Sequence, residues 1–129
     1  MADIQAALGL SQMQNLETWI QKRGELAHRY FKSLAPQLLP LYFSTKRRSA
    51  FHLYVHHVAP EQRTAMFQRL REKGIGANVH YMPIYKQPWY QQWVPIPLPC
   101  AEQFYAGAIT TPLFPALTKL EQIKICSLF

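Results

Sequence analysis

The 129-residue chain reads as a small α/β domain: a three-stranded antiparallel or mixed sheet with helices packed on it, preceded by a long N-terminal helix. Three observations predict this. Residues 3–35 contain no proline and repeat apolar side chains at helical spacing. Phe51–Val58 alternates in the manner of a half-buried strand. Pro60 and Gly74 bracket a further segment, a proline entering a helix and a glycine leaving it.

The first helix is expected from Asp3, a good N-cap residue, to Ala35, before Pro36. Ile4, Ala7, Leu8, Met13, Leu16, Ile20, Ala27, Tyr30 and Leu34 mark its apolar positions. Unbroken, it would be ~50 Å long at ~1.5 Å per residue. A domain of this size is only about 26 Å across, so the helix must bend, break or project. Gly24 is the candidate for a bend or a close contact. From Ile4 to Leu16 the apolar residues (Ala6, Ala7, Leu8, Leu10, Met13) cover much of the circumference. A helix apolar on all sides is normally buried on all sides, so this part is expected to belong to a larger interface.

In the first strand Phe51, Leu53 and Val55 alternate with His52, Tyr54 and His56. His56 and His57 are adjacent and point to opposite faces, which suits packing or surface roles and not one shared metal. The bracketed helix carries Ala65, Met66 and Leu70 on its apolar face. A second strand is expected over Ile75–His80. A proline-rich loop with Pro83, Pro88, Pro95 and Pro97 follows, then a short helix from Pro99 to Ala106. The third strand, Ile109–Leu113, is expected at an edge because of Pro112. Thr118 caps a last helix over Lys119–Phe129.

Composition narrows the function. Hydrophobic residues make up 49% and charged residues 16%, which excludes a disordered chain. No apolar run approaches the ~20 residues of a membrane span. The start shows no basic segment followed by an apolar one, so no signal peptide is expected. Cys100 and Cys126 make no metal pattern, and a reduced, cytoplasmic protein is the default. In a secreted protein, a Cys100–Cys126 disulfide would be the alternative. The net charge is +7, but Lys46-Arg47-Arg48 is the one dense basic run, and the basic residues of the bracketed helix alternate with Glu61 and Glu72. No aromatic interleaving marks a nucleic-acid surface. A phosphorylated small molecule uses the same charges with less surface.

The segment Gly74-Ile-Gly-Ala-Asn-Val-His80-Tyr-Met-Pro-Ile-Tyr-Lys-Gln-Pro-Trp-Tyr90 is the most informative. It reads as a helix stop, a short apolar strand and an aromatic loop stiffened by prolines. His80 falls where the strand runs out into the loop, a position that often meets ligands. The plain alternative is a histidine packed and hydrogen-bonded beside Tyr81.

These blocks carry a resemblance. Met1-Ala-Asp-Ile-Gln-Ala-Ala-Leu-Gly-Leu-Ser-Gln12 resembles the opening of the C-terminal domain of the DegT/StrS-type sugar aminotransferases. These are fold-type I enzymes that use pyridoxal 5′-phosphate (PLP). Ser49-Ala-Phe-His-Leu-Tyr-Val55 is similar to their first small-domain strand, and Leu70–Tyr85 to their C-terminal signature. Ala101-Glu-Gln-Phe-Tyr105 and Thr111-Pro-Leu-Phe-Pro-Ala-Leu-Thr118 resemble their closing helix and the loop after it. Tyr85–Trp93 most resembles the subgroup that aminates UDP-4-keto-6-deoxy-N-acetylhexosamines on the pseudaminic-acid route.

The resemblance implies a cytoplasmic, homodimeric parent enzyme. It would pass an amino group from glutamate, through PLP, to a keto carbon of a nucleotide-linked sugar for polysaccharide or glycan synthesis. It places His80, Tyr81 and Tyr85 at the sugar-nucleotide site. Lys46–Arg48 would lie near the diphosphate or form a solvated loop. In the family the PLP lysine and phosphate site lie upstream of the segment matched by Met1. Lys22, Lys32, Lys46, Lys73, Lys86, Lys119 and Lys124 do not sit in the lysine motif. Residues 1–129 are therefore expected to be one small C-terminal domain, with a connecting helix over 1–35 and an α/β subdomain over 49–129. It would lack the PLP-binding large domain, hold no cofactor or metal, and be inactive alone. The competing reading is a stand-alone module that binds anions or nucleic acid.

Overall fold

The computed structural model describes residues 2–34, 46–93 and 98–129. The expected helix end at Ala35–Pro36 and the loop prolines Pro95 and Pro97 lie outside the described residues. The elements are α1 (Asp3–Met13), α2 (Leu16–Ser33), β1 (Tyr54–His57), α3 (Pro60–Glu72), α4 (Pro99–Gly107), β2 (Ala108–Thr111) and α5 (Lys119–Cys126), with a 3₁₀ turn at Ile84–Lys86.

The long N-terminal helix is divided in two. The break falls at Gln14–Asn15, where the Asn15 amide donates to the Gln12 carbonyl in a tighter turn. Gly24 stays inside α2. Asp3 is the first helical residue and Ala2 the N-cap; the Gln5 side chain accepts from the Ala2 amide at 3.0 Å.

The mixed α/β class holds, but the sheet has two strands and not three. β1 and β2 pair antiparallel, Tyr54 opposite Thr111 and His57 opposite Ala108. The expected strand Ile75–His80 shrinks to one bridge, in which Asn78 and Thr110 exchange both backbone hydrogen bonds. The reason is local. Gly74 has φ +75°, and the Ile75 amide turns back to the Leu70 carbonyl, as at a glycine-ended helix. The Ala77 amide then bonds to the Ile75 carbonyl two residues behind it, a γ-turn contact that withdraws it from a ladder. Because Asn78 lies on the far side of β2, β2 is flanked on both sides and wholly buried. In a two-stranded sheet β2 has one strand neighbour, with the single Asn78 bridge on its other side; Pro112 lies just past its end, where its missing donor is not needed.

The buried side of β1 also differs from the apolar pattern. Tyr54 and His56 face inward, while Val55 is half-buried. Tyr54 and His56 are accommodated by an aromatic cluster. The rings of Tyr30 and Tyr54 lie 5.0 Å apart, and that of His56 lies 4.6 Å from Phe129. The His56 Nε2 is hydrogen-bonded to Thr111 Oγ1 at 2.8 Å. His56 is thus a packing histidine. His57 Nε2 donates to the Phe104 carbonyl at 3.1 Å, so the two neighbours do point to different partners.

The core joins Leu26, Ala27, Tyr30 and Leu34 of the α2 region to Tyr54, Ile109, Leu113 and Ile125. Each large side chain there contributes roughly 2 kcal/mol by burial. The Tyr30 hydroxyl donates to the Pro112 carbonyl at 3.0 Å, tying α2 to the end of β2. α3 begins at Pro60 and buries Leu70 fully. Met66 and Phe67 flank Leu70, whereas Ala65 faces solvent. Between α4 and β2 the chain passes so close to Val58 that a Cβ on Gly107 would lie 2.3 Å from the Val58 carbonyl oxygen. Only glycine permits that approach. Thr118 caps α5, with Glu121 reaching back to the Thr118 amide, a reciprocal cap.

Candidate functional site

Asn78 is the last residue tied to the sheet. The Val79 amide donates to the Asn78 side chain at 2.8 Å, and the chain leaves through a cis His80–Tyr81 peptide into the aromatic loop. Pro83 opens the 3₁₀ turn Ile84–Lys86. Short-range turns follow, from the Tyr90 amide to Gln87 and from the Trp93 amide to Tyr90. Tyr81 is 70% exposed, and Ile84, Trp89 and Trp93 are all more than half exposed. Exposed apolar patches of this kind are the usual form of contact surfaces.

The structure brings His80 and Tyr81 together, edge to face with ring centroids 4.6 Å apart. His80 is half-buried, and its Nδ1 is enclosed without a hydrogen-bond partner. Tyr85 is held elsewhere. Its hydroxyl donates to Glu102 Oε1 of α4 at 2.7 Å, and Lys86 forms an ion pair with the other oxygen of Glu102. Lys86 Nζ also lies over the Tyr105 ring, and Arg63 of α3 approaches the same ring, 5.2 Å from its centroid. Tyr85 and Lys86 thereby anchor the aromatic loop to α4, and Arg63 ties α4 to α3.

The anchor is electrostatically set. Lys86, and then the Tyr85 hydroxyl, hold the Glu102 carboxyl below its ordinary range. Partial removal from water, and then the hydrogen bond and charge of Glu102, push Tyr85 up to about 12. Sequence reasoning named Tyr85 and missed Glu102, Lys86, Arg63 and Tyr105 as its support. The hint was the Ala101–Tyr105 block, but Tyr85 and Glu102 are 17 residues apart, beyond any local spacing rule. Of the basic run Lys46–Arg48, Arg48 is paired with Glu17 of α2. Both cysteines are free thiols. Among the described residues no cluster could hold a metal, and no helix is long and apolar enough to cross a membrane.

This topology, a minimal sheet with five helices and an aromatic loop set on the last but one, is that of a domain found in aminotransferases. Helicobacter pylori PseC, an aminotransferase involved in the biosynthesis of pseudoaminic acid, superposes with a TM-score of 0.86 at 35% identity, covering 97% of this chain and 35% of that one. Streptococcus pneumoniae Spr1654 in its PLP form superposes at 0.89 and 32% identity, over 98% of this chain and 34% of that one. In sequence, a UDP-4-amino-4,6-dideoxy-N-acetyl-beta-L-altrosamine transaminase of Helicobacter pylori is 38% identical over 116 residues, 85% of this chain and 31% of its own length. The pattern of the DegT/DnrJ/EryC1/StrS aminotransferase family matches residues 1–129, and the chain belongs to that family. It spans about a third of the length of the curated relatives it matches.

Proposed function

We propose that this chain is the small C-terminal part of a PLP-dependent aminotransferase that aminates a keto carbon of a nucleotide-linked sugar with glutamate as donor. The work would take place in the cytoplasm, for surface polysaccharide or glycan synthesis. The observation that carries the reading is the family match along the whole chain, joined to relatives about three times its length that are named as transaminases of this type.

The chain's own residues do not fit PLP. A lysine that binds a carbonyl cofactor is activated by desolvation or a neighbouring cation. Here Lys22, Lys32, Lys46, Lys73, Lys119 and Lys124 are exposed, and Lys86 is paired with Glu102. Gly74 and Gly76 open onto empty space and precede no helix, so no phosphate cradle is formed. Cofactor and lysine would come from the larger domain of an intact enzyme, and residues 1–129 alone would be inactive.

The role left to this domain is to close the sugar-nucleotide site. The enclosed, unpartnered His80 Nδ1 suits a hydrogen bond to a sugar hydroxyl or phosphate oxygen. The open face of Tyr81 suits a sugar or uracil ring. Tyr85, its hydroxyl taken by Glu102, would border the site and hold the loop. α1, with no buried residue, would be covered by the large domain and a second subunit of a homodimer.

Two measurements test this. The purified chain, dialysed after exposure to PLP, should keep no cofactor absorbance and should not turn over a UDP-keto-sugar with glutamate; retained absorbance or turnover overturns the incomplete-enzyme reading. In an intact enzyme carrying this domain, His80→Ala should lower kcat/KM for the sugar nucleotide about tenfold, the worth of one hydrogen bond of ~1.4 kcal/mol, while the cofactor absorbance stays. An unchanged kcat/KM removes His80 from the site.

A further inference from the structure

α2 and α5 lie side by side, and a groove of about 540 Å³ runs between them. α2 contributes Arg29 and Lys32 to it, and α5 contributes Lys119, Gln122 and Cys126. None of these belongs to the aromatic loop or to α4, so the groove is separate from the site proposed above.

Three of these five side chains are cations, and among the described residues none is in salt-bridge contact with a carboxylate. Glu25, one turn before Arg29, accepts from the Gln21 side chain at 3.2 Å. Glu121 is folded back on the hydroxyl and amide of Thr118, bonds that hold its carboxyl below the ordinary range. Among the described residues the ion pairs are Arg48–Glu17 and Lys86–Glu102. Arg29, Lys32 and Lys119 therefore line the groove with no carboxylate in salt-bridge contact. Arg29 is half-buried, where solvent screens its charge less than at an open surface.

The floor supplies the second observation. Gln122 is only 3% exposed. Its Nε2 donates to the Leu26 carbonyl at 2.7 Å, which fixes the amide and turns Oε1 away from that carbonyl. Oε1 is buried and has no hydrogen-bond partner. Buried acceptors are nearly always satisfied in folded proteins, so each exception asks for an account. An acceptor in want of a donor, beside three cations without an ion-pair partner, defines a ligand with two kinds of group.

We propose that this groove binds a small phosphate ester that carries a free hydroxyl. The phosphate oxygens lie among Arg29, Lys32 and Lys119, with the Arg29 guanidinium offering paired donors. The hydroxyl donates to Gln122 Oε1. Inorganic phosphate satisfies the cations alone and should bind more weakly.

The experiment is a titration of the 129-residue chain followed by ¹H–¹⁵N NMR at physiological salt, with glucose 1-phosphate, inorganic phosphate and glucose as the probes. Saturable shifts should appear at Arg29, Gln122, Ile123 and Ser127, at lower concentration for glucose 1-phosphate than for phosphate, and not with glucose. The double variant Arg29→Gln/Lys119→Gln should raise Kd at least tenfold. Arg69→Gln/Arg71→Gln, which removes the same charge from the exposed face of α3, should leave it unchanged. Gln122→Met, similar in size, should bring the ester down to the affinity of inorganic phosphate. Absence of saturation, equal losses in the two charge variants, or equal affinity of ester and phosphate for the unaltered chain would each overturn the proposal.

Discussion

Leu8 and Leu26 are the same residue on consecutive helices, yet Leu8 is 62% exposed and Leu26 2%. α1 is the more uniformly apolar of the two helices and buries nothing; α2 is more polar, with Lys22, Arg23, Glu25 and Lys32, and supplies the core with Leu26, Ala27 and Tyr30. The contrast shows that apolar content says a face wants cover, not that this chain provides it. α2 has its cover in the sheet and α5. α1 and the aromatic loop stay exposed among the described residues.

The largest expected effect separates the two helices directly. Leu26→Ala should cost about 3 kcal/mol in urea unfolding, the loss of buried contacts plus a cavity. Leu8→Ala should cost less than about 0.5 kcal/mol, as at an exposed position. Leu8→Glu should also leave stability alone while lowering the average mass seen by light scattering, since it puts charge into the bare patch. Equal costs for the two alanine variants would break the comparison.

A smaller effect tests the core's own polar groups. The Tyr30 hydroxyl has the Pro112 carbonyl, whereas the Tyr54 hydroxyl is buried without a partner. Burial pushes both phenols well above their usual range. Tyr30→Phe should cost about 1 kcal/mol, and Tyr54→Phe should be neutral or stabilising, because an unmade hydrogen bond is removed along with its burial. A loss from Tyr54→Phe as large as that from Tyr30→Phe would mean that the Tyr54 hydroxyl has a partner in solution.

The smallest effect lies in the anchor of the aromatic loop. Glu102 ionises more readily folded than unfolded, so its contribution is complete above the ordinary glutamate range and fades as pH falls through its lowered pKa. Tyr85 runs the other way. Its neutral form is favoured, so its contribution is complete below the ordinary tyrosine value of about 10 and fades as pH rises through about 12. Phenolate absorbance, compared with Tyr85→Phe to isolate the one group, should show Tyr85 titrating late. In Glu102→Gln it should titrate earlier, and Trp89 and Trp93 fluorescence should shift as the loop loosens. A titration unmoved by Glu102→Gln would show that the hydrogen bond does not hold the loop.

The sequence by itself determined the elements whose causes are local. Pro60 and Gly74 bracket α3, Thr118 caps α5, and the helical spacing of Ala27, Tyr30 and Leu34 finds the buried face of α2. These rest on contacts within one turn of the chain. The block resemblance also reached the family, because signatures such as Leu70–Tyr85 are linear. What lay beyond was decided across the fold. Ile75–Val79 looks like a strand in composition, but whether it joins a sheet depended on hydrogen bonds that Ala77 spends two residues back and on a place beside Thr110. The inward turn of Tyr54 and His56 depended on Tyr30, Thr111 and Phe129 waiting opposite, since a strand offers two faces and only its neighbours choose one. The support of Tyr85 by Glu102, and the meeting of Arg29, Lys119 and Gln122 in one groove, were likewise settled by tertiary structure. Each joins side chains from separate elements, and no periodicity within an element encodes that distance.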